Sequence, residues 1–258
     1  MPPPPLPPLP SPVPWTTISI AGHRCEIYAP PAPLPGRGLI YLHDLDGAPR
    51  DDENLPRDLI EPLRMPVIAP QTGRSWWLDK IVPAFDAAIT PERYVVEHVR
   101  EEFRIRFGIS PPGIALLGAG MGGQGALRIA YRHPAVFPVA AAVSPAIDFH
   151  VAMRESGSRD DGEHFDTLWE LFGDVERARQ ETCILHVHPL NWPRHQFFAS
   201  DPADLAWHDG AARLHSKLAA LGIPHTALLE RRDARADVAA ALSFIAAALD
   251  QESRRLST

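Results

Sequence analysis

The sequence predicts an α/β protein with a mostly parallel sheet covered by helices on both faces, and three observations carry that expectation. Short apolar runs bounded by glycine or proline recur at residues 38–43, 66–70, 113–117 and 139–143. They are too brief for helices and suit strands buried on both faces. Segments with helical caps or helical spacing alternate with the later runs, so strands joined by such crossovers must run parallel. Hydrophobic residues make up 45% and charged residues 22% of the 258, a globular balance that fits one domain.

The elements follow in order. Residues 1–14 hold nine of the 29 prolines and read as a disordered tail with polyproline II character. Two β-like runs within 15–28 flank Ala21-Gly22, which predicts an N-terminal hairpin. Strands follow at 38–43 and 66–70. Thr90-Pro91-Glu92 opens a helix that Gly108 ends: Thr caps, Pro fits the first turn, and Glu complements the dipole. A strand at 113–117 leads through a glycine-dense turn into a helix at 121–131, and 139–143 is again a strand. Residues 149–179 read as a helical excursion, 182–188 as a strand, 207–221 as a helix and 225–230 as a strand. An Ala-rich helix at 234–249 closes a single domain spanning 15–250, and 251–258 reads as a flexible polar tail.

Charge and cysteine content narrow the function. Lys and Arg total 25 against 32 Asp and Glu, a net charge of −7, which gives no electrostatic footprint for nucleic acid. No apolar run is long enough to span a membrane. Two cysteines, Cys25 and Cys183, are too few for a disulfide framework and point to the cytoplasm. A His186-x-His188 pair on a strand would share a face, with His195, His208 or Asp204 to complete a metal set. Twelve histidines make such a pair common by chance, so the expectation is no metal and no cofactor.

The segment Leu116-Leu-Gly118-Ala-Gly120-Met-Gly122-Gly-Gln-Gly125 has the strand, sharp glycine turn and helix of a nucleophile elbow, G-x-S-x-G. Its centre is Gly120, where a nucleophilic serine would stand. Further motifs are Tyr41-Leu-His43, Gly73-Arg-Ser-Trp-Trp77, Ser144-Pro-Ala-Ile-Asp148, His188-Pro-Leu-Asn-Trp-Pro193 and Asp201-Pro-Ala-Asp204. Together they span most of residues 38–225. In that order the chain resembles α/β-hydrolases of the esterase D or S-formylglutathione hydrolase type.

The resemblance implies an α/β-hydrolase fold and a serine mechanism, in which a hydroxyl attacks an ester or thioester, a histidine takes its proton, and a carboxylate orients the histidine. Carried onto this sequence, the oxyanion donors are the N–H groups of Met121 and Leu45, and the acid is Asp204, with Asp201 also open. Trp76, Trp77, His43 and Asp44 would border the pocket, the two tryptophans as wall or as core. Three departures stand out. Gly120 replaces the serine. The loop His43-Asp44-Leu45-Asp46-Gly47 carries an aspartate where the pattern has glycine. No histidine follows His225, and 229–237 reads Leu-Glu-Arg-Arg-Asp-Ala-Arg-Ala-Asp where the base belongs. Ser144 is the other serine at a strand end and reads as packing rather than as a nucleophile.

The expectation is therefore an inactive esterase homologue, a pseudoenzyme that keeps a pocket. Its ligand would be a small carboxylate- or acyl-bearing molecule, seated at the free N-terminus of the helix that begins near Met121. The alternatives are a weak or unorthodox ester or thioester hydrolase, and a regulatory or structural subunit. A homo-oligomer is the partner that the resemblance implies.

Overall fold

Eight strands among the described residues form one sheet, in the order β1-β2-β4-β3-β5-β6-β7-β8. The structure is a computed structural model that describes residues 15–45, 55–158 and 162–256. The proline-rich tail 1–14, Asp46 and Gly47, and the last two residues of the expected C-terminal tail lie outside the described residues. Thr16–Ile20 (β1) and His23–Tyr28 (β2) form the expected antiparallel hairpin, turning at Ala21-Gly22. The chain continues through Gly38–Leu42 (β3), the short helix Arg57–Ile60 (α1) and Val67–Pro70 (β4). β2 pairs antiparallel with β4, and every pairing from β4 to β8 is parallel.

The helix expected at Thr90 begins there, with the Thr90 hydroxyl accepting the Arg93 N–H at 3.2 Å. It runs as Pro91–Arg93 (α2), a π-helical stretch Tyr94–Val99 and Arg100–Phe107 (α3), and ends at Gly108 in left-handed geometry. Next come Ile114–Ala119 (β5), Gly120–Arg132 (α4) and Val139–Val143 (β6). The excursion is helical as expected: Phe149–Glu155 (α5), Asp166–Phe172 (α6) and Val175–Arg179 (α7). His195–Ala199 (β7), His208–Ala220 (α8), Thr226–Leu228 (β8) and Ala234–Arg255 (α9) complete the chain.

Period-two alternation divides the core. Ile40, Leu42, Ile68, Ile114 and Leu116 face Phe103, Ile129 and Trp76 on one side of the sheet. Leu39, Tyr41, Val67, Ala115, Leu117 and Val143 face Leu242, Ile245 and Leu249 of α9 on the other. The alanines of β6 let α4 and α9 approach from opposite faces. Arg128 of α4 is wholly buried and ion-paired with Glu92 and Glu181, which ties the helix to its neighbours.

Two expected elements differ. Residues 182–188 are not a strand: Cys183–His186 is a 3-10 turn strapped across α4 and α8. Gln124 Oε1 accepts the Cys183 N–H at 2.6 Å, and Lys217 donates to the Ile184 carbonyl at 2.5 Å. The place beside β6 belongs to β7, whose Phe197 and Phe198 point into opposite cores. The second correction is at the C-terminus, where α9 continues to Arg255 instead of fraying after 249. Glu252 anchors it, 2% exposed and bonded to Arg194 and His195. No helix among the described residues is long and apolar enough to cross a membrane.

Candidate active site

Because β3, β5, β6 and β7 are parallel neighbours, the residues after them emerge along one edge of the sheet: His43-Asp44, Gly120, Ser144 and Ser200-Asp201. Ligand sites of open parallel sheets form at that edge. Gly120 has φ +50 between β5 and α4, so the sharp left-handed turn of an elbow is present. Gly122 permits the close approach beside it, since a Cβ there would strike the Leu42 carbonyl.

The place of the missing side chain is filled. A Cβ on Gly120 would fall on the Asp44 carboxylate. Asp44 Oδ1 accepts the N–H of Met121 at 2.8 Å and that of Leu45 at 2.7 Å. These are the two donors that sequence reasoning assigned to the oxyanion. The site therefore carries its own anion, at the N-terminus of a thirteen-residue helix. The helix end expected to receive a ligand's carboxylate is occupied by the chain itself.

His43 does not face this centre as a base. It is buried, its Nε2 accepts the Thr72 N–H at 3.1 Å, and its Nδ1–H donates to the Asp44 carbonyl at 2.7 Å. Burial pushes its imidazole down to about 4. The Trp77 indole donates to the His43 carbonyl at 3.2 Å. Trp76 and Trp77 are core, not pocket wall: both are fully buried, and Trp76 packs on Phe149 and Phe165. Their positive φ values turn the indoles inward.

On the acid–base side the structure places Asp204 in the turn before α8, its Oδ1 accepting from Ala206 and Trp207 at 3.3 and 3.2 Å. Asp201 stands nearer the end of β7, and Arg232 of the loop after β8 donates its N–H to Asp201 Oδ2 at 3.4 Å. Arg232 also reaches Asp237 at 2.7 Å. That loop carries arginines where a histidine would complete a triad. The metal set does not form either, because His186 and His188 leave the strand, His195 binds Glu252, and His208 meets the Ser200 carbonyl.

A cleft of about 610 Å³ opens over Gly120 and Asp44. Tyr41, Leu59, Val143 and Val238 form apolar walls, Ser144 stands beside them with φ +42, and the Asp58–Arg235 ion pair lies at the side. No histidine lines it among the described residues. Sequence reasoning missed Leu59, Asp58, Arg235 and Val238, which reach the cleft from α1 and α9 and carry no motif.

A profile of the family described as "Putative esterase" matches residues 54–225. The chain belongs to this esterase family of α/β-hydrolases. The fold of this esterase-family chain is similar to that of MPT51 (FbpC1) from Mycobacterium tuberculosis, with a TM-score of 0.70 at 14% identity over 92% of this chain and 99% of that one. It is also similar to an S-formylglutathione hydrolase from Agrobacterium tumefaciens, with 0.62 at 18% identity over 90% and 88%. FphF of Staphylococcus aureus, a fluorophosphonate-binding serine hydrolase, gives 0.64 at 13% over 87% and 92%. No curated protein matches the sequence.

Proposed function

We propose that this esterase-family protein is non-catalytic and uses its cleft to hold a ligand. The observation that carries this reading is Asp44, whose carboxylate takes both backbone donors and the volume of the nucleophile. A tetrahedral oxyanion cannot share that position with a carboxylate, since the donors are taken and the charges repel. The absence of an imidazole from the cleft lining supports the same reading. With a carboxylate already inside, the ligand is acyl-bearing and uncharged at its inner end, its chain lying on Tyr41, Leu59, Val143 and Val238. Cytoplasmic residence is part of the proposal and fits two buried thiols, with burial pushing that of Cys25 up to about 12.

Two measurements on the purified chain test this. A fluorophosphonate probe should leave every serine unlabelled, and p-nitrophenyl acetate should show no saturable turnover. A medium-chain acyl amide should raise the unfolding midpoint, whereas acetate should not. Stoichiometric labelling of Ser144, or hydrolysis that saturates, would overturn the proposal.

A further inference from the structure

A second hollow, of about 270 Å³, lies apart from the cleft and shares no lining residue with it. His150 and Val151 of α5, Arg179 of α7, Ile184, Asp148 and Arg213 of α8 border it. Arg179 commits its Nε to Glu176 at 2.8 Å, and Arg213 pairs with Asp148 through one terminal nitrogen. The terminal nitrogens of Arg179 and the rest of the Arg213 fork have no protein partner among the described residues. His150 is half-buried at the border of the hollow and presents its Nε2 side to it. Its Nδ1 is shut off from solvent and has no hydrogen-bond partner. An anion in the hollow therefore meets the ring at Nε2 and not at the closed Nδ1.

We propose that this hollow binds a phosphate-class oxyanion, held by the guanidinium forks of Arg179 and Arg213 and by the imidazole of His150. Planar forks match the oxygens of a tetrahedral anion, and Val151 and Ile184 offer an apolar wall for the organic part of a monoester. The surrounding charge favours an anion: Arg154, Arg179 and Arg213 stand against Asp148 and Glu176. The turn Gly162–Phe165, also packed on α5, carries His164 and Glu163, the latter paired with Arg74.

The imidazole adds a pH signature. Burial holds His150 below its ordinary range, Arg179 and Arg154 act in the same direction, and Glu176 opposes them. The ring is therefore mostly neutral at pH 7 without a ligand. A bound dianion favours its protonation, so binding takes up a proton and tightens as pH falls.

Calorimetry on the full chain tests this with inorganic phosphate, phenyl phosphate, acetate, and sulfate, whose charge is fixed across the range used. Phosphate should bind one site with a Kd of about 1 mM or tighter. Arg179→Gln should weaken it about tenfold, and Arg179→Lys less, because the charge remains but the fork is lost. Sulfate should bind several-fold more tightly at about pH 6 than at about pH 8, and His150→Gln should abolish that slope. Phenyl phosphate binding more tightly than phosphate assigns a monoester; equal affinity assigns the free ion. No saturable heat, binding unchanged in Arg179→Gln, a flat sulfate profile, or acetate bound as well as phosphate would each overturn the site.

Discussion

The two halves of the candidate site are built differently in this chain. On one side, Met121, Leu45, Asp44, His43 and Thr72 form a closed set of internal hydrogen bonds beside Gly120 at the end of β5. On the acid–base side, Asp201 and Asp204 are partly exposed, Arg232 is exposed, and their bonds are local to turns and loops. The turn at Gly120 is thus locked by bonds inside the fold, while the loops after β7 and β8 make ordinary local connections. Backbone donors at the head of a helix are satisfied when an acceptor from elsewhere in the fold reaches them.

The largest expected effect breaks the closed half. Gly120→Ser places a side chain on the Asp44 carboxylate and a Cβ in left-handed geometry, at a cost on the order of 3–4 kcal/mol. Adding Asp44→Gly removes the overlap, so chemical unfolding should show the double variant losing less than the sum of the two single losses. The double variant should show no turnover, since no histidine lines the cleft among the described residues. Simple additivity of the two losses would mean that Asp44 is not what excludes a side chain there.

Next comes acid. His43 has its folded-state value lowered by burial to about 4, below the ordinary 6.5, so the unfolded chain takes up its proton first. Stability should fall as pH drops from about 6.5 to about 4, by up to roughly 3 kcal/mol from this group. His43→Gln should flatten that part of the profile measured by urea unfolding. An unchanged slope would contradict the buried, neutral assignment. A smaller effect is expected for Asp44→Ala, which strands the N–H groups of Met121 and Leu45 at about 2 kcal/mol. Added acetate should then raise the unfolding midpoint of the variant and not of the native chain, because the helix end is vacated. Asp204→Ala in the open half should cost only about 1 kcal/mol, the loss of the side-chain bonds that hold the turn before α8. Comparable losses from Asp44→Ala and Asp204→Ala would erase the contrast between the halves.

The runs at 38–43, 66–70, 113–117 and 139–143 were legible as strands because glycine and proline punctuate short apolar stretches and leave no room for a helix. The elbow was legible because its glycines are spaced for close packing. The choice between 182–188 and 195–199 was not, since both are short apolar runs with histidines at their ends. Only the fit of Phe197 and Phe198 between two cores decides it. Asp44 was visible as an anomaly, but its destination was not. Local spacing cannot tell that a carboxylate after β3 reaches a donor 77 positions later. The inward turn of Trp76 and Trp77 was equally hidden, because positive φ at two tryptophans is against their local preference.

The last turns of α9 carry a practical consequence. Glu252 is drawn down to about 2, chiefly by its bond to Arg194, and it also grips His195, the first residue of β7. A polypeptide shortened to residue 250 would retain all eight strands yet leave β7 unmoored where it enters the sheet. Tags, fusions and trimming at that end are therefore operations on the scaffold itself, and a preparation lacking those few residues should be judged as a different protein.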